Sequence, residues 1–230
     1  MDRIAAFFDV DETLINLKSM FSFLEFMVHD KHRDPEQADK EFQALMTEFR
    51  DLGKSHPRSE VNRLYYEQFK GVRQLEFEHL ADRWFQQVEA DTSFYIQPTL
   101  ERLRHHQTLG HEVVFVSGAC NELLAPLANR LEVSHLLGVQ LEVSGGCFTG
   151  KLRPPQTIGG GKAKAITAFM TEKGIDAPGS YAYGDHYSDR HMLDCVGHPV
   201  VLKGDQALED WAKARPHTLL NPLSTQGAAL

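Results

Sequence analysis

With 230 residues, 42% hydrophobic and 24% charged, the chain can bury a substantial core, as one domain or as a core plus an inserted subdomain. Its formal net charge of −8, from 24 basic and 32 acidic residues, argues against a surface that coats nucleic acid and suits a soluble enzyme. Cys120, Cys147 and Cys195 form no CxxC pair, which argues against a disulfide or zinc framework, and no apolar run approaches the roughly 20 residues of a membrane span. A strand begins almost at the N-terminus, leaving no room for a signal peptide, so a cytoplasmic protein without a membrane partner is expected.

The first element, "IAAFF" from Ile4 to Phe8, reads as a strand buried on both faces. Asp9, Asp11 and Thr13 follow at alternate positions, which in extended backbone leave from the same side. Two crowded carboxylates raise each other's proton affinity, a cost that a bound cation or a shared proton can use. The alternative is a plain strand-to-loop turn in which Asp and Thr cap backbone groups.

From Leu17 the texture becomes helical, with Leu17, Phe21, Leu24 and Met27/Val28 at three- and four-residue spacing. Further helices are predicted near Asp39 to Leu52, Ser59 to Phe69 and Leu75 to Val88, separated by Gly and Pro breaks. Residues 15–92 therefore read as a small helical bundle. From Gln97 strands and helices alternate. A helix over Pro98 to His106 precedes the strand "EVVFVSG", expected to end at its Ser-Gly turn, and the helix "NELLAPLANRL" follows. "LGVQLEVSGGCFTGKL" reads as a hairpin, "GGGKAKAITAFM" as a helix behind glycines and "SYAYGD" as a strand. "SDRHMLDC" is a helix, "HPVVL" a strand and "QALEDWAKA" the last helix. The alternation predicts an α/β fold, a Rossmann-like doubly wound parallel sheet with an inserted all-helical cap.

In such sheets the site lies at the carboxyl ends of the strands. Those ends carry Asp9, Asp11 and Thr13, then Ser117 and Gly118, then Asp185 with Asp189 four residues on; Lys162 stands behind Gly159, Gly160 and Gly161 at a helix start. Taken singly, Ser117 could cap a helix, "GGGK" could be a flexible turn before a solvated lysine, and Asp189 could answer a helix dipole. Together they are the set phosphoryl transfer needs: a nucleophile, carboxylates for a hard cation, and donors for phosphate oxygens.

Four segments carry a family resemblance: "DVDET" at 9–13, "VSG" at 116–118, Lys162 within "TIGGGKAKAI", and "YGDHYSD" at 183–189. In that order, over essentially the whole chain, the sequence resembles the haloacid dehalogenase superfamily in its phosphoserine-phosphatase-like branch. The resemblance implies a catalytic core of residues 1–14 and 93–230, and a cap of residues 15–92. It implies that Asp9 is the nucleophile forming an aspartyl-phosphate and that Asp11 is the general acid and base. It further implies that Asp9, Asp185 and the Asp11 backbone carbonyl hold Mg²⁺, with Asp189 either a further acidic ligand or a group just behind the ligands, and that Thr13, Ser117, Gly118 and Lys162 bind the phosphoryl group. An acid two places after the nucleophile favours phosphatases and phosphomutases over dehalogenases and transport ATPases.

The expected activity is Mg²⁺-dependent hydrolysis of a small phosphorylated metabolite, by a monomer or homodimer. The alternatives are a phosphotransferase or mutase using the same aspartyl-phosphate, or an inactive metabolite-binding protein. Phosphoserine phosphatases carry a glutamate near the cap entrance for the substrate ammonium, where this chain has Lys18. An acidic or sugar-like leaving group is expected instead, read by Lys18 and by Arg58, with Arg63, Lys70 and Arg73 as further cap cations. His186 occupies a place where small polar residues are usual and faces either the site entrance or solvent. His105, His106 and His111 read as surface residues, since nitrogen ligands do not suit Mg²⁺.

Overall fold

The structure, a computed structural model, describes residues 3–223. A seven-stranded sheet runs in the order β4-β3-β2-β1-β5-β6-β7. Its strands are β1 (Ala5–Phe8), β2 (Glu112–Cys120), β3 (His135–Ser144), β4 (Cys147–Arg153), β5 (Tyr181–Gly184), β6 (His198–Leu202) and β7 (Thr218–Leu220). All neighbouring pairs are parallel except β3 with β4, the predicted hairpin. The alternation of side chains along a strand divides the core in two. Ala5 and Phe7 of β1 join one buried cluster with Val114 and Val116 of β2, and Ala6 and Phe8 join the other with Val113 and Phe115.

Between β1 and the crossover helix α5 (Gln97–Thr108) lie four helices: α1 (Ser19–Lys31), α2 (Pro35–Ser55), α3 (Arg58–Glu67) and α4 (Gln74–Glu89). The helix α2 starts earlier than its apolar spacing suggests, because Asp34 accepts from the Glu36 amide and Pro35 takes the first helical position. The insertion leaves and rejoins the core on adjacent segments, with Asn16 N donating to Phe94 O at 2.7 Å and Ile96 N to Leu14 O at 3.0 Å. The β3–β4 hairpin reaches up to it: Gly71 N donates to Phe148 O at 2.8 Å and Phe148 N to Val72 O at 2.9 Å. Phe23, Phe77 and Trp84 of the insertion pack edge to face and share the Phe8 side of the core. No described helix is long and apolar enough to cross a membrane, and all three cysteines are free.

Three expectations need correction. The strand β2 does not end at Ser117-Gly118; after an irregularity beyond Val116 it regains pairing at Cys120, opposite Val139. β7 has no counterpart in the sequence reading, since three residues carry too little periodicity to register. His106 is not a surface residue: it is fully buried, with its Nε2 2.8 Å from the Tyr183 hydroxyl and its Nδ1 2.8 Å from His111 Nδ1. Doublet His105-His106 straddles the helix surface, so one ring faces solvent and the next faces the core.

Burial, with lesser contributions from neighbouring His111 and His105, holds the His106 imidazole down at about 3. The folded state therefore keeps it neutral while the unfolded chain protonates it below about pH 6.5. Its contribution to stability is complete above that pH and is lost as pH falls toward 3. In urea titrations between about pH 6.5 and 5, wild type should lose up to about 1.4 kcal/mol more per pH unit than His106→Gln. Parallel slopes would show that His106 titrates normally in the fold.

Candidate active site

The site is assembled from consecutive strand ends. Asp9 N donates to Tyr183 O at 3.0 Å, continuing the β1–β5 pairing past Phe8 and drawing Asp9 and Asp185 to neighbouring ends. The chain then turns back, with Val10 O accepting from Leu14 N at 2.8 Å and Ile15 N at 3.1 Å. That turn points the Thr13 hydroxyl at Asp185 Oδ1, 2.8 Å away. Thr13 is fully buried and does not line the cavity, so it holds a carboxylate in place and does not reach a ligand directly.

Lys162 is buried between two carboxylates. Its Nζ lies 2.6 Å from Asp9 Oδ1 and donates to Asp189 Oδ1 at 2.8 Å. Two of the glycines before it answer structural requirements: Gly159 has φ of 53°, and a Cβ on Gly161 would stand 1.7 Å from the Gln156 carbonyl oxygen. Only glycine allows that approach at the start of α7 (Gly160–Lys173), and it fixes where Lys162 emerges. Asp189 follows a short 3₁₀ turn, Tyr187–Asp189, and its Oδ2 accepts from His186 N at 3.2 Å. Gly184 leaves it room, since a Cβ there would come within 2.8 Å of Asp189 Cβ.

Asp9, Asp185 and Asp189 each offer an oxygen within 4.8 Å of the others. An all-oxygen carboxylate set is what a hard divalent cation requires, so the cluster can hold one. Burial pushes the Asp9 carboxyl well up, the Lys162 ammonium opposing and Asp189 and Asp185 adding to it. Asp185 is raised for the same first reason, with Asp189 adding to it. Burial works against the Lys162 ammonium too, but Asp189 and Asp9 outweigh it and hold it above its usual range. Asp11 lies apart from the three. Burial lifts its carboxyl to about 6, with Ser19 drawing it back.

Ser117 does not cap a helix. Its Oγ accepts from Ala119 N at 3.0 Å, which leaves its O–H free to donate, and its carbonyl accepts from Thr157 Oγ1 at 2.6 Å. The Gly118 carbonyl accepts from Asn62 Nδ2 at 2.9 Å and Tyr66 OH at 3.3 Å, and Asn62 Oδ1 accepts from Gln156 Nε2 at 2.7 Å. One buried amide of α3 thus ties the insertion to the Ser117-Gly118 turn and to the segment leading to Lys162.

These groups open into a cavity of about 370 Å³ between the strand ends and the insertion. Asp9, Asp11, Ser117, Gly118, Lys162, Asp185 and Asp189 all line it. Of the cap cations expected from sequence, Lys18 and Arg58 do so, and Arg63, Lys70 and Arg73 do not. Arg63 instead pairs with Glu60 and Glu67 along its own helix, at the three- and four-residue spacing that satisfies it there. Lys18 Nζ is 3.2 Å from Glu12 Oε2. Arg58 Nη1 reaches His186 Nδ1 at 2.9 Å and Ser188 Oγ at 3.2 Å, so His186 stands at the cavity mouth.

The profile of haloacid dehalogenase-like hydrolases matches residues 6–194, which spans the strand ends just described. The chain belongs to that family. Phosphoserine phosphatase SerB1 of Mycobacterium tuberculosis is 29% identical over 213 residues, covering 92% of this chain and 68% of its own. The histidinol-phosphatase of Neisseria meningitidis serogroup C is 23% identical over 221 residues, covering 94% and 97%. A solved structure of a protein of unknown function from Bordetella pertussis Tohama I superposes with a TM-score of 0.83 at 21% identity, over 97% of this chain and 100% of that one.

In this haloacid dehalogenase-like hydrolase, sequence reasoning missed Asn62, Thr157 and the apolar wall of Met20, Phe21, Val61, Tyr65 and Ile158. Most of the wall was hidden because Met20, Phe21, Val61 and Tyr65 have the spacing of any core-facing helix stripe, and Ile158 stands in an irregular segment. Asn62 gave one signal, a polar residue on the apolar face of α3, where only a committed hydrogen-bond set makes burial tolerable.

Proposed function

We propose that this protein is a Mg²⁺-dependent phosphomonoester hydrolase acting on a small phosphorylated metabolite through an aspartyl-phosphate on Asp9. The observation that carries the reading is the Asp9–Lys162–Asp189 chain at the strand ends, with Asp11 and Asp185 beside it. Asp9, Asp185, Asp189 and the Asp11 backbone carbonyl would hold the cation, which supplies positive charge against the phosphoryl oxygens. Residues 15–92 act as the cap and residues 1–14 with 93–230 as the core; the outermost residues 1–2 and 224–230 lie outside the described residues. The paired linkers at 14–16 and 94–96 support that division.

Asp9 attacks phosphorus in line with the leaving oxygen, and Asp11 passes its proton to that oxygen as the bond breaks. A carboxyl held at about 6 is well placed for this, since both forms are accessible near neutrality. Asp11 then takes a proton from the water that attacks the aspartyl-phosphate and releases Asp9. The Ser117 hydroxyl, the Gly118 backbone and Lys162 bind the phosphoryl oxygens, and Lys162 keeps Asp9 ionised for attack.

A panel of phosphorylated metabolites, assayed for phosphate release with and without Mg²⁺, tests the reading; silence across the panel would reject it. Phosphoserine is disfavoured because Lys18, although paired with Glu12, lines the cavity where the substrate ammonium would approach it. On this account Lys18→Glu should raise kcat/KM for phosphoethanolamine and phosphoserine by roughly tenfold, the scale of one exposed charge contact reversed. An unchanged ranking would place the Lys18 charge outside leaving-group selection.

A further inference from the structure

The side of the cavity formed by the insertion is unlike a sugar or polyacid site. Met20, Phe21, Val61 and Ile158, all half-buried, line it together with buried Tyr65. Several of the polar groups among and around them already bond protein partners, while Arg58, His56 and Glu12 form a polar edge. Tyr65 OH donates to Met20 O at 2.6 Å, and Asn62 spends its amide on Gly118 O and Gln156 Nε2. Lys18 is paired with Glu12, and Arg58 Nη1 with His186 and Ser188. A polyhydroxyl leaving group entering here would shed water against thioether, aliphatic and aromatic surface and regain few hydrogen bonds. A flat apolar body would lose nothing and would gain contact with the Phe21 ring and the Met20 sulfur, an edge that suits an aromatic ring. The cavity, about 370 Å³, lies within the roughly 300–1,000 Å³ of ordinary ligand pockets and has room for a ring beyond the phosphoryl group.

We propose that the cap half of this cavity selects phosphate monoesters whose leaving alcohol carries an aromatic or heteroaromatic ring. This rests on the phosphatase reading above and sharpens it, replacing the acidic or sugar-like leaving group expected from sequence. The ring packs between α1 and α3, and the Arg58–His186 pair forms its polar rim.

The test compares kcat/KM for 2-phenylethyl phosphate, 2-(imidazol-4-yl)ethyl phosphate, ethyl phosphate, glycerol 3-phosphate and glucose 6-phosphate with the Mg²⁺-loaded enzyme. Both ring esters should exceed glycerol 3-phosphate and glucose 6-phosphate by at least about tenfold, and ethyl phosphate should lie between. Inhibition by benzylphosphonate should likewise exceed that by methylphosphonate by about tenfold, a binding readout that needs no turnover. Val61→Asn and Met20→Gln should each shrink the ratio of ring ester to ethyl phosphate by about threefold or more. Turnover of the hydroxylated esters equal to that of the ring esters would overturn the ring preference and leave the phosphatase reading standing. No hydrolysis of any ester would overturn both.

Discussion

Asp9→Asn should fold, bind substrate with KM nearly unchanged and turn over at least about a thousandfold more slowly than wild type. The amide keeps the shape of the carboxylate but has neither its charge nor its nucleophilicity. Folding should survive because Lys162 retains Asp189 as a partner, and the Asp9 amide still donates to the Tyr183 carbonyl. Steady-state kinetics beside a urea melt separates the two effects. Activity above about a tenth of wild type would exclude covalent catalysis by Asp9.

Exhaustive chelation should abolish turnover, by at least about a hundredfold, and Mg²⁺ should restore it. With three carboxylates within 4.8 Å of one another and one lysine among them, the site without a cation repels a phosphoryl group. Mg²⁺ and Ca²⁺ should both raise the melting temperature of the chelated protein, because each binds the folded state alone. Only Mg²⁺ should support fast turnover, since the larger coordination shell of Ca²⁺ misplaces nucleophile and phosphate. Full activity after chelation, or no thermal shift with either ion, would remove the cation from the account.

How much of this was legible depended on how local each signal was. Asp9, Ser117, Lys162 and Asp185 were legible because strand ends and a glycine-led helix start announce themselves within a few residues, and the sheet rule then gathers them. The glycines gained their meaning only in three dimensions. Gly161 matters through the Gln156 carbonyl and Gly184 through Asp189 Cβ, approaches no pattern can encode. The cap was legible as helices but not by function: Arg58, Arg63, Lys70 and Arg73 look equivalent in sequence, yet only Arg58 faces the cavity. His106 failed for a related reason. Its neighbours are polar, and the groups that bury it, Tyr183 and Phe8, lie on other strands.

The proposed covalent intermediate would be captured on the residue itself. Enzyme mixed with a turned-over phosphate ester, quenched in acid within milliseconds and reduced with borohydride, converts an aspartyl-phosphate to homoserine that peptide mass spectrometry locates. The structure predicts that this change appears at Asp9, requires substrate, and is absent in Asp9→Asn. Substrate-dependent labelling of any other residue, or none during steady turnover, would contradict it.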